Sequence, residues 1–255
     1  MKNNKKFIIP YGHLLANAPY CVTGIGTVVS PKLKNLYDKD GENIQYYAFA
    51  GIAADNSKGS INGLLACLYG KNADTVNDKF TYIIQNDALR EVFAKSLSLF
   101  FVNPIKYIPN KKLFAVYSDT LSKQTEGIIC KENFDFLCCI LRQLMHNYSV
   151  SEKTENEDLS DKSDEVAKAL NVFKKYSKQQ IGNNLKNYQT DNIISKMCVA
   201  NSGYNLFNIY NLTVWQLYDQ FQAYSQNRMS KISERSFSVW GGEDFDYELW
   251  LKNNN

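Results

Sequence analysis

Apolar residues recur at three- and four-residue spacing in several stretches of the chain, and each stretch predicts a helix facing a core. In "NDALREVFAKSLSLFF" the stripe is Leu89, Val92, Phe93, Leu97, Phe100 and Phe101, with Asn103-Pro104 as its stop. "GIICKENFDFLCCILRQLMHNY" reads as a short strand feeding a helix whose face carries Phe134, Leu137, Cys138, Leu141, Met145 and Tyr148. "NIQYYAFAGIAAD" places Ile44, Tyr47, Ala48, Gly51 and Ile52 on one helical face, and shorter helices are expected in "SINGLLACLYG" and "DTVNDKFTYIIQN". "CVTGIGTVVS" reads as a strand region, with Ser30 and Pro31 as N-cap and first residue of the helix that follows. "IKYIPNKKLFAVYS" predicts a hairpin turning at Pro109-Asn110.

The pattern lapses at "SVSEKTENEDLSDKSDE", residues 149–165. From Ser151 to Glu165 there are seven acids, two lysines and one aliphatic residue, Leu159. Such a segment cannot bury enough apolar area to offset the entropy of ordering it. It reads as a solvated tether, or alternatively as an acidic mimic that meets a basic partner. Helical periodicity resumes in "EVAKALNVFKKYSKQQ", on a face of Val166, Ala169, Leu170, Phe173 and Tyr176, and again in "TDNIISKMCVANSGYN", with Asp191 as cap and Gly203 near the stop. Thr213-Val-Trp-Gln216 has the form of a capping box. The helix it opens carries Leu217, Phe221 and Tyr224 on one face, widened by Val214, Trp215 and Tyr218, and its pattern fades after Arg235. Gly241-Gly242 then precedes an acidic-aromatic peptide, "EDFDYELWLKNNN". The expected fold is mainly α with a small β-hairpin or sheet, in the α+β class. The expected division is a mixed domain over 1–148, a tether over 149–165, a helical domain over 166–240 and a terminal peptide over 241–255.

Composition changes this picture little. A hydrophobic share of 44% with 22% charged residues is ordinary for a globular chain. The net charge of +3 gives no electrostatic case for nucleic acid. "KKYSKQQIGNNLKNYQ" interleaves lysines with aromatics but carries no RNA-binding motif, so no nucleic-acid partner is expected. No apolar run reaches the roughly 20 residues that cross a bilayer, so no membrane partner is expected either. Pro10, His13, Asn17 and Pro19 break the first apolar stretch, against a cleaved leader. The six cysteines show no C-x-x-C pair or zinc spacing and read as reduced thiols.

Candidate chemistry is sparse. His13 and His146 have no triad or metal-ligand setting in sequence, and His146 reads as a helix C-terminal residue favoured by the macrodipole. Glu243, Asp244, Asp246 and Glu248 follow a glycine pair and lack the desolvated setting that acid–base work needs. No catalytic residue, cofactor or metal is expected. The aromatic residues are the notable feature. Trp215, Tyr218 and Phe221 read first as core, packed on faces carrying Phe173 and Ile194. Phe237, Trp240, Phe245, Tyr247 and Trp250 suit a groove on their own domain or on another protein, since aromatics carry much of the energy of interfaces. Trp215, Tyr218, Phe221 and Trp240, with Phe245, Tyr247 and Trp250, are the candidate partner-binding residues.

Three places carry a family resemblance: "GIGTVVSPKLKNLYD"; the order "LREVFAKSLSLFF", hairpin, "GIICKENFDFLCCILR"; and "NLTVWQLYDQFQAY" with the later "VWGGEDFDYELW". In these the chain resembles the tail assembly chaperones, and their neighbours, of siphophages and phage-like elements of low-GC Gram-positive bacteria. The resemblance implies a non-enzymatic protein of tail morphogenesis in the host bacterial cytoplasm. It would self-associate or coat the tape measure protein and recruit tail-tube subunits. The other readings are a virion component of tail or neck, and a small phage-encoded inhibitor of a host factor.

Overall fold

The computed structural model describes residues 8–37, 39–54, 78–119, 124–146, 190–200 and 203–240. They form a mainly helical α+β protein with two small antiparallel sheets, as the pattern predicts. The expected helices in 60–70 and 165–180, the tether and the terminal peptide lie outside the described residues. The chain divides into two compact units: Met1–Asn147 together with Tyr210–Asn255, and Tyr148–Ile209.

In the first unit, α1 (Tyr11–Ala16) leads to a hairpin of β1 (Tyr20–Val22) and β2 (Gly26–Val28), with Tyr20 opposite Val28. The hairpin is tied to the end of a later helix, because Val29 N–H donates to the Phe100 carbonyl and Val102 N–H to that of Thr27. A single turn, α2 (Leu33–Leu36), precedes α3 (Asn43–Ala54). The buried side of α3 is Phe49, Ala50, Ala53 and Ala54, and Ala48 is exposed. The face expected from Ile44 and Ala48 is therefore rotated. The small residues explain it: alanines let α3 lie close to its neighbours, and a Cβ on Gly51 would meet Met145 Cε at 3.0 Å.

Asp78 caps α4 (Lys79–Gln85), accepting from Thr81 N–H at 3.1 Å, and its carboxylate pairs with Lys131 at 2.5 Å. Asn86 caps α5 (Asp87–Ser98) through Leu89 N–H. The helix stops at Ser98, earlier than Asn103-Pro104, because Phe100 and Phe101 leave it to pack in the core beside β2. A three-stranded sheet follows, ordered β3 (Ile105–Ile108), β4 (Leu113–Tyr117), β5 (Thr125–Ile129). The first turn is at Pro109–Lys111, as expected, and Ile105 pairs with Val116 and Phe114 with Ile129. Helix α6 (Phe134–Leu144) buries Phe134, Leu137, Cys138, Ile140, Leu141 and Leu144. Phe80, Phe93, Phe114 and Phe134 meet at the centre, with ring centroids 5.4–6.4 Å apart. The buried Gln143 amide accepts from Ile8 and Ile9 N–H and donates to the Ile9 carbonyl, fixing the start of the described chain onto α6.

In the second unit, α7 (Thr190–Ala200) buries Ile193, Ile194 and Met197. The turn after it is fixed by reciprocal amide bonds: Asn205 Oδ1 accepts from Asn208 N–H, and Asn208 Oδ1 accepts from Asn205 N–H.

The first unit closes with α8 (Val214–Trp240), 27 residues or roughly 40 Å at 1.5 Å per residue. The pattern in sequence places residues 166–240 in one domain and fades the helix after Arg235. The structure continues it to Trp240 and groups residues 210–255 with the N-terminal segment. Trp215 is 1% exposed and belongs to the same core as Phe93 and Leu141, while Phe173, expected beside it, lies outside the described residues.

Candidate functional site

The start of α8 is where the chain brings its most distant parts together. The capping box forms as read: Gln216 N–H donates to Thr213 Oγ1 at 3.0 Å, and Thr213 N–H donates to Gln216 Oε1 at 2.8 Å. The rest of the helix start is received by Ser30, Pro31 and Lys32. Val214 N–H donates to the Pro31 carbonyl, Leu33 N–H donates to the Leu212 carbonyl, and Lys32 bridges Thr213. The Ser30 hydroxyl accepts from Trp215 N–H at 3.3 Å and donates to the Leu144 carbonyl at 2.9 Å. Ser30 is therefore not the N-cap of the next helix. That helix begins at Leu33, and the serine serves a helix start 185 residues away. Burial explains the assignment, since a buried amide without a partner costs about 1–3 kcal/mol.

Around this frame lies a half-buried polar cluster. The Tyr11 hydroxyl donates to Asp219, 3.2 Å from each carboxylate oxygen. His146 Nε2 stands 4.0 Å from Asp219 Oδ1, with both side chains largely buried. The Trp215 ring packs edge-on against Tyr11 at 5.2 Å and lies 5.4 Å from His146, which stacks on Tyr218 at 6.3 Å. Burial sets the electrostatics. It raises the Asp219 carboxyl above its usual value, with the Tyr11 hydrogen bond and His146 pulling the other way. It also raises Tyr11, helped by the Asp219 charge, and lowers His146 despite Asp219. His146 sits beyond the helix, at φ 55°, and burial favours its neutral form. His146 thus follows the C-terminus of α6 as the sequence suggests, but burial works against the charge that the helix dipole would favour there.

A tyrosine that keeps its proton and donates it in a hydrogen bond to a carboxylate, with burial and that charge opposing its ionisation, is not an activated nucleophile. What the arrangement does is hold α8 in place. Gln216 adds a further tie, its amide donating to the Leu15 carbonyl at 2.7 Å. Among the described residues no group of three or more His, Cys, Asp or Glu side chains is placed to hold a metal ion. Cys21, Cys130, Cys138, Cys139 and Cys198 are free thiols, and burial pushes the Cys138 thiol up to about 12. No helix of the described residues is long and apolar enough to cross a membrane.

The predicted aromatic residues are thus divided. Trp215 faces the protein's own core, while Tyr218 and Phe221 are half-buried. Trp240 ends α8, and Phe245, Tyr247 and Trp250 lie outside the described residues. Nothing in sequence singles out Tyr11 and Ser30 as partners of Trp215, or Asp219 as the acceptor for Tyr11. One signal for Asp219 was available: it is the single acid in the apolar run "VWQLYDQF". Farther along α8 the surface changes. Met229 is 60% and Ile232 52% exposed.

Residues 177–255 match the family model described as YomV second domain, a Bacillus phage-derived family. No curated protein and no solved structure matches the chain.

Proposed function

We propose that this chain is a non-enzymatic protein of phage tail morphogenesis, a chaperone or scaffold that binds the tape measure and tail-tube proteins in the host bacterial cytoplasm. The observation that carries the reading is α8 itself. Its first turns are fixed in the core, and its later turns present Met229 and Ile232 to the outside within the segment that matches the phage-derived family. Exposed apolar side chains on a helix anchored at one end suit helix-in-groove recognition of another protein. Tape measure chains rich in apolar helices are partners of that chemistry.

The test is co-expression with the tape measure protein encoded in the same genome. The proposal expects the soluble fraction of that protein to rise and the two to co-purify. An unchanged soluble fraction with no co-purification overturns it. Recovery of the chain in stoichiometric amount from mature virions turns the reading to a structural tail or neck protein.

A further inference from the structure

Helix α8 has two halves with one continuous face. At 100° per residue, Ile232 falls on the line of Val214 and Phe221, and Met229 on the line of Tyr218. The side that is core near Val214 thus becomes exposed apolar surface at Met229 and Ile232. Beside it run Arg228, Lys231 and Arg235, all exposed and spaced to share one edge. Residues 225–240 hold these three cations against Glu234, a net charge of +2.

The chain that follows has the complementary pattern. After Gly241-Gly242 come Glu243, Asp244, Asp246 and Glu248 against Lys252, a net charge of −3 over residues 241–255. Asp244, Asp246 and Glu248 alternate with Phe245, Tyr247 and Leu249. In an extended chain that alternation puts acids along one edge and apolar groups along the other. An apolar stripe flanked by a basic ridge matches both edges at once. The dimensions agree: five residues in extended form would span roughly 13 Å, and Arg228 to Arg235 rise about 10 Å along the helix.

We propose that the later half of α8 is a binding surface for an acidic-aromatic peptide, and that its resident occupant is residues 243–251 of the same copy. A second copy of the helix is disfavoured, since two surfaces of +2 repel. The tail of a second copy is disfavoured by concentration, because a covalent link of a few residues holds a segment at an effective concentration on the order of millimolar. Any outside protein using this surface then has to displace the tail, whatever the chain's role in the cell.

The experiment uses the full chain. A carbodiimide joins carboxylates to amines at zero length, and an equimolar mixture of isotopically light and heavy copies is treated and mapped by mass spectrometry. The expected result is Lys231 coupled to Asp244, Asp246 or Glu248 in the monomer, with light–light and heavy–heavy pairs only. The variant Met229→Asp/Ile232→Asp keeps Lys231 and the tether, and both replaced side chains are exposed. Its coupling is expected to fall at least fivefold, while Met229→Leu/Ile232→Val retains it. Absence of this coupling, mixed light–heavy pairs, or equal coupling in the aspartate variant overturns the proposal. None of these outcomes depends on a tape measure protein.

Discussion

Trp215 joins the two sequence segments of the first unit. Its indole fills a space between Tyr11 and His146, and its amide is satisfied by Ser30, so it serves packing and polar satisfaction together. Trp215→Ala is expected to cost about 3–5 kcal/mol, a large part of a typical domain's stability, read as a shift in urea midpoint. A loss under 1 kcal/mol contradicts this placement. The neighbouring His146 gives a pH dependence with a defined sign. Burial lowers its pKa from the ordinary 6.5, so below pH 6.5 the unfolded chain takes up a proton that the folded chain refuses. Stability therefore falls as pH drops through 6.5 and levels off below the folded value. Asp219 acts oppositely at lower pH, since its raised pKa favours the folded state as pH falls toward 3.8. Asparagine tolerates positive φ, so His146→Asn isolates the histidine. The wild type is expected to lose more stability between pH 7.5 and 5.5 than the variant, and equal losses contradict the assignment.

At the scale of elements, the two small sheets are locked by a close backbone approach. Ile128 N–H donates to the Gly24 carbonyl, and a Cβ on Gly127 would stand 2.3 Å from the Ile25 carbonyl carbon. Only glycine fits where β5 passes the first hairpin. Gly127→Ala is expected to destabilise by about 3 kcal/mol, the upper end for overpacking, because backbone has to move. Thermal melting reads it, and an unchanged midpoint contradicts the geometry. Much at this scale was legible in sequence. The stripes of α5 and α6, the Pro109-Asn110 turn and the Thr213–Gln216 capping box are local patterns, and local patterns survive folding. The face of α3 was not legible, because close packing by alanine carries little hydrophobic signal. Ser30 was misread for a related reason: a serine before proline is a common N-cap, and only the fold brings Trp215 N–H to its hydroxyl. Nothing in the spacing of Tyr11, His146 and Asp219 announces that they meet, since 208 residues separate the first from the last.

For the whole molecule, the proposed function gives one long helix two duties. Its first turns complete the core of the first unit, and its later turns hold Met229, Ile232, Arg228, Lys231 and Arg235 exposed. Under that proposal the binding residues on α8 are the exposed Met229 and Ile232, and the buried Trp215 serves the core. Hydrogen exchange on the full chain, alone and co-purified with the tape measure protein, tests most directly whether the anchored helix also binds a partner as proposed. The prediction is slow exchange over residues 217–224 in both samples and at least tenfold added protection over 225–240 in the complex. Unchanged exchange over 225–240 in a stable complex contradicts it.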